Sequence, residues 1–179
     1  MNKINKNKHA LKISGSIYLN QMELLDNINF DISLNKWNTL IGQSGTGKST
    51  LLKIIAELNI PKNFSNKIDI INKYNFSFSL MAQDDLLLPW LNVLENVVLG
   101  HRLRGEKIDS DKAKLLLSKV NLSHVINNMP STLSGGMRQR VAIARTLYED
   151  KDIILMDEPF RSLDSITKIK IQKLTYSLL

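Results

Sequence analysis

The stretch I-G-Q-S-G-T-G-K-S-T, residues 41–50, decides the fold. Gly42, Gly47, Lys48 and Ser49 stand in the spacing G-x-x-x-x-G-K-S, which binds nucleotide phosphates only when a strand precedes it and a helix follows. W-N-T-L-I (37–41) is expected to be that strand. K-S-T-L-L-K-I-I-A-E-L carries apolar Leu51, Leu52, Ile54, Ile55 and Leu58, a helical pattern. Glycine lets the backbone curl so that the amides of Gly42, Gln43, Ser44, Gly45, Thr46 and Gly47 face one anion. The helix start adds its positive dipole end. Lys48 reaches the outer phosphates, Ser49 is a Mg²⁺ ligand, and Thr50 is a second hydroxyl nearby.

The 179 residues suffice for one cored domain, and 43% hydrophobic with 23% charged residues is an ordinary globular mixture. No apolar run reaches the length of a bilayer span. The polar start M-N-K-I-N-K-N-K-H-A is expected to be a flexible end over residues 1–12, with no secretory signal. Without cysteine the chain has no disulfide or thiolate metal site. The net charge of +7 comes from scattered Lys residues, and no nucleic-acid partner is expected.

Alternating I-S-G-S-I-Y-L and I-N-F-D-I-S-L predict antiparallel strands between Ile13 and Leu34. Residues 59–75 give weak signals. F-S-F-S-L-M-A-Q alternates as a strand. From Asn92 the pattern is helical: N-V-L-E-N-V-V-L-G has an Asn cap and Gly100 as its expected end, D-S-D-K-A-K-L-L-L-S-K-V and S-H-V-I-N-N-M open on Asp and Ser, and G-G-M-R-Q-R-V-A-I-A-R-T-L-Y puts Met137, Val141, Ala144 and Leu147 on one face. D-I-I-L-M-D-E-P predicts a buried strand stopped by Pro159. The sum is an α/β nucleotide-binding domain over 13–179, with an antiparallel β subdomain and a helical subdomain at about 84–137.

Asp157 ends that buried strand, where open α/β sheets place ligands, and is a Mg²⁺ ligand candidate. Glu158 follows as a candidate general base. In L-S-G-G-M-R-Q-R, Ser134, Gly135 and Gly136 form a second anion-binding helix start, or simply an N-cap. Two phosphate cradles suit two chains placed head to tail, each closing on the nucleotide of the other.

G-Q-S-G-T-G-K-S-T, L-S-G-G-M-R-Q-R-V-A-I-A-R-T-L, I-I-L-M-D-E-P-F and S-L-D, in this order, resemble the ATP-binding-cassette (ABC) ATPases over roughly residues 13–175. The resemblance implies a P-loop NTPase that binds ATP and Mg²⁺ and hydrolyses ATP in a dimer. Ser134, Gly135 and Gly136 then contact the γ-phosphate across the dimer. Gln83 is the glutamine that senses Mg²⁺ and the attacking water, and Asp164 lies at the seam. Tyr18 is either the aromatic that stacks on adenine or an ordinary strand tyrosine. M-A-Q-D-D-L-L-L-P-W-L-N-V-L-E-N-V-V-L-G is similar to importer ATPases of the nitrate, sulfonate and taurine group. With R-L-R-G-E and L-D-S-I-T it most resembles hydroxymethylpyrimidine (thiamine-precursor) import ATPases. This implies a translocase subunit on the cytoplasmic face of the inner membrane. It implies docking on a transmembrane permease through Gln83 and Leu86, Leu87, Leu88, Pro89 and Trp90, and indirect service to a solute-binding protein. Trp90 as a core residue is the plain alternative.

The family also carries a switch-loop histidine after the catalytic Glu, whereas His9, His101 and His124 all precede Asp157. The expectation is a chain truncated before that histidine, and the alternative function is a non-hydrolytic ATP-binding remnant. Glu57 stands where a helix-ending Gly is usual, and Arg161 where a small residue is usual.

Overall fold

The computed structural model describes residues 9–33, 36–60, 62–72 and 74–178. They divide into two compact units, up to Ser77 and from Phe78 onward. Residues 1–8 of the expected flexible start, and Leu34, lie outside the described residues. His9–Lys12 belong to the first strand.

In the first unit, β1 (His9–Leu19) lies between β2 (Met22–Ser33) and β3 (Phe64–Ile71) in an antiparallel sheet. Leu11, Ile13 and Ile17 alternate onto one face of β1 and are fully buried. β3 comes from the weakly patterned 59–75 region. It pairs only with β1, and only Phe64, Ile68 and Ile70 of it are half-buried, which explains its faint signal. The strand expected at 37–41 is not formed. Trp37–Ile41 join no ladder of this sheet and Ile41 is 88% exposed, and a β-strand exists only through a hydrogen-bonded neighbour.

Helix α1 (Lys48–Ile55) buries Leu51 and Ile55. It ends in a Schellman arrangement: Leu58 N–H donates to Lys53 O at 2.9 Å and Glu57 N–H to Ile54 O at 3.0 Å. Glu57 thereby takes φ +58, where a side chain is unfavourable. Glu57→Gly is expected to raise stability by roughly 0.5–1 kcal/mol, read as a higher thermal midpoint.

The second unit pairs β4 (Phe78–Met81) with β5 (Ile153–Met156) in parallel, Met81 opposite Met156. β5 is less buried than its apolar run suggests. Only Leu155 is fully inside, because β4 is its one partner among the described residues. Next come α2 (Val93–Val97), α3 (Leu99–Arg104), α4 (Ser110–Lys119), α5 (Gly135–Tyr148) and α6 (Ser165–Leu178). Asn92 and Glu95 form a reciprocal capping box on α2, and Asp109 caps α4. Gly100 does not end a helix. It lies inside α3, where an added Cβ would meet Glu149 Oε1 at 1.9 Å, and Gly105 at φ +68 makes the C-terminal turn instead. S-H-V forms only a short 3₁₀ turn.

α5 packs against α2, α4 and β4. Val141, Ala144 and Leu147 are buried as expected, but so are Ala142, Ile143 and Tyr148, so this helix is enclosed rather than amphipathic.

Candidate functional site

The loop of the first unit wraps its own lysine. Lys48 Nζ donates to Gly42 O at 2.8 Å and also to Gln43 O, while Thr46 Oγ1 donates to Gln43 O at 2.9 Å. Gly47 is the N-cap of α1 at φ +86. A Cβ there would approach Leu24 Cδ2 of β2 to 2.8 Å, so glycine is demanded both by conformation and by the close packing of loop on sheet. Gly42, Gln43, Ser44 and Gly45 are exposed, and Ser49 and Thr50 sit half-buried in the first turn. A Cβ on Gly45 would meet nothing within 4 Å, so the rim of the loop is open. An ammonium held among backbone groups at a helix start, with a hydroxyl one residue on, fits a polyphosphate and its Mg²⁺. Tyr18, in the same unit, is half-buried on β1, and Lys67 Nζ lies 5.8 Å from its ring centroid, on one face.

In the second unit, the parallel register brings Gln83 and Glu158 to the same end of β4 and β5. Each lies two residues past the opposed pair Met81 and Met156. Asp157 N–H donates to Met81 O at 2.9 Å, which continues the ladder and fixes the carboxylate at the strand end. Gln83 Nε2 donates to Glu158 Oε2 across 3.5 Å. Arg161 Nε stands 3.8 Å from the same oxygen, and Arg161 N–H closes the turn onto Glu158 O at 3.1 Å. Glu158 holds φ +46, a conformation unfavourable for a side chain. Backbone of this kind gathers at functional sites, where surrounding contacts enforce it.

Ser134 caps α5, its Oγ accepting from Met137 N at 3.2 Å. Its hydroxyl proton therefore stays available to a further acceptor. Gly135 is open to its surroundings, whereas a Cβ on Gly136 would lie 3.2 Å from Ser162 O. Gln139, buried, donates to Pro159 O at 3.1 Å. The start of α5 and the loop after Asp157 thus form one packed piece. Asp164 caps α6 by accepting from Thr167 N at 3.0 Å, and the hydrogen bonds from Thr167 draw its carboxyl below the usual range.

The segment after Gln83 is exposed in its side chains and fastened in its backbone. Leu86 is 62% and Trp90 68% exposed, so Trp90 is not core, while Leu87 packs on the hydrophobic cluster. Pro89 is exposed and Leu88 half-buried. Arg138 of α5 binds Asp85 Oδ2 at 2.9 Å and Leu133 O at 2.9 Å, and Arg145 donates to Leu86 O at 2.9 Å and to Asp85 O. Asn96, wholly buried on α2, accepts from Leu88 N at 2.8 Å and donates to Leu88, Leu91 and Asn92 carbonyls. Sequence reasoning missed Asn96, Arg138, Arg145 and the partner of Arg161. A lone Asn inside the apolar E-N-V-V-L run was the available signal for the first.

The profile of the family described as "ABC transporter" matches residues 25–161. An uncharacterized ABC transporter ATP-binding protein of Haemophilus influenzae is 39% identical over 92% of this chain and 68% of its own length. The aliphatic sulfonates import ATP-binding protein of Bacillus cereus is 38% identical over 96% of the chain and 66% of its own. One of the Rhodococcus jostii proteins of that name is 42% identical over 84% and 60%. The chain thus spans about two thirds or less of the length of the curated relatives it matches. Among solved structures, a dimeric ATP-binding cassette in a post-hydrolysis state with ADP and Pi superposes with a TM-score of 0.77 at 30% identity, over 92% of this chain and 80% of that one.

Proposed function

The chain belongs to the ABC transporter ATP-binding family, and from that premise we propose that it is the energy-coupling subunit of a bacterial ABC importer, hydrolysing ATP to drive uptake of a small solute. The observation that carries this reading is the meeting of Gln83 and Glu158 beside Asp157 at the ends of β4 and β5. In it, Lys48 and the amides of the 42–47 loop hold the phosphates. Ser49, Asp157 and Gln83 would hold Mg²⁺, which would neutralise phosphate charge. Glu158 takes a proton from the attacking water. The Ser134 hydroxyl and the Gly135 and Gly136 amides close on the nucleotide of a second copy, with Asp164 at the seam and Tyr18 against the adenine.

The exposed Leu86, Pro89 and Trp90 are the contact with a transmembrane permease, which works with a solute-binding protein. No described helix is long and apolar enough to cross a membrane; by likeness to importer ATP-binding subunits, the proposed place is the cytoplasmic face of the membrane. The solute meets the permease and not this chain. Its class rests on likeness: a sulfonate, as two of the relatives are named, or a thiamine-precursor pyrimidine, as the 81–100 segment suggests.

Lys48→Ala is expected to weaken ATP binding about tenfold, measured by titration calorimetry, since it removes a charge-assisted contact to phosphate. Equal affinity would remove the phosphate loop from the reading. A non-hydrolytic ATP-binding subunit is the second reading. Binding without turnover would select it.

A further inference from the structure

Arg161 occupies a position in F-R-S-L-D that none of the roles above uses. Among the described residues its guanidinium has one carboxylate within ion-pair distance, Glu158, 3.8 Å away. Gln83 Nε2 approaches the same oxygen, Oε2, from the bend that follows β4. Among the described residues Oε1 has no donor. A guanidinium at 3.8 Å and an amide at 3.5 Å beside one oxygen bias the carboxylate rotamer and leave the other oxygen open to accept a proton. A base held this way needs no rearrangement to take a proton from water. The turn from Glu158 O to Arg161 N–H, with Glu158 at φ +46, sets the three-residue spacing that makes the contact.

We infer that Arg161 is a positioning residue for the hydrolytic reaction, steering the Glu158 carboxylate by binding its Oε2 together with Gln83. The inference rests on Glu158 being the general base. Gln83 acts from the bend after β4, whereas Arg161 acts through an exposed side chain, so the two contributions separate by mutation. The pair is solvent-exposed, which keeps the expected effect modest.

The test is steady-state ATP hydrolysis at saturating and limiting ATP by the full chain and its R161A, R161K and E158Q variants, with thermal midpoints taken in parallel. Arg161→Ala is expected to lower kcat about fivefold with KM for ATP unchanged, and Arg161→Lys to recover most of the loss. Unchanged or faster turnover by Arg161→Ala, with wild-type turnover dependent on Glu158, overturns the inference alone. Equal losses in the Ala and Lys variants, or a matching fall in thermal midpoint, overturn it in favour of loop packing. A wild-type chain no faster than Glu158→Gln overturns the hydrolytic reading and this inference with it.

Discussion

Glu158→Gln is expected to lower ATP turnover at least about a hundredfold while ATP binding stays within about twofold, because a positioned general base contributes roughly 10²–10⁴ in rate and little to substrate affinity. Gln has nearly the same shape and can occupy the same φ +46 position. It still offers an oxygen to Gln83 Nε2. It cannot take up a proton from water at neutral pH. The contact with Arg161 is weakened from an ion pair to a charge–dipole one. Single-turnover hydrolysis beside equilibrium nucleotide binding reads the two quantities apart. Equal rates in both chains would move water activation away from Glu158. ATP retained without turnover in either chain would identify a binding subunit.

Asn96→Ala is expected to destabilise the second unit by about 3 kcal/mol, at the upper end for a point substitution that makes no large cavity. The side chain is wholly buried and uses both ends: its oxygen accepts from Leu88 N, and its amide is shared among three carbonyls. Ala leaves the half-buried Leu88 N–H without its side-chain acceptor. The carbonyls of Leu88 and Leu91 lose a donor as well. Chemical unfolding measures the loss. The near-ultraviolet signal of Trp90, two residues past Leu88, reports whether the 84–91 segment loosens while α5 remains folded. A change below about 1 kcal/mol would mean that the Arg138 and Arg145 contacts carry the segment alone.

The sequence was most legible where chemistry is local. The phosphate loop, the caps Asn92, Asp109 and Ser134, and the strand at 78–81 are written within a few residues of themselves. Fold class was legible because the motif order repeats that of a known family. What failed needed a neighbour distant in sequence. Trp37–Ile41 look like a strand, yet among the described residues they have no ladder partner to make them one. Gly100 looked like a helix end because glycine often is; its real constraint is Glu149, on another helix's end. β3 was hidden because an edge strand with one half-buried face carries too few apolar residues to set a period. Arg161 was visible as a departure, but its purpose needed the left-handed turn at Glu158.

Glu158→Gln tests the chemistry and Asn96→Ala the scaffold, and the scaffold has a thermodynamic consequence for association. Loops that order only on meeting a partner lose about 0.5–1.5 kcal/mol for each rotamer-rich side chain immobilised, and more for the backbone. The backbone of 85–91 is already held by Asn96 and Arg145, and the Asp85 side chain by Arg138, before any partner arrives. If the proposed permease contact holds, Leu86 and Trp90 would meet their partner with only their own side-chain freedom left to lose. Partner preference on such a surface changes by exchanging these two side chains, and affinity for the right partner is limited by dissociation rather than by a search through loop conformations.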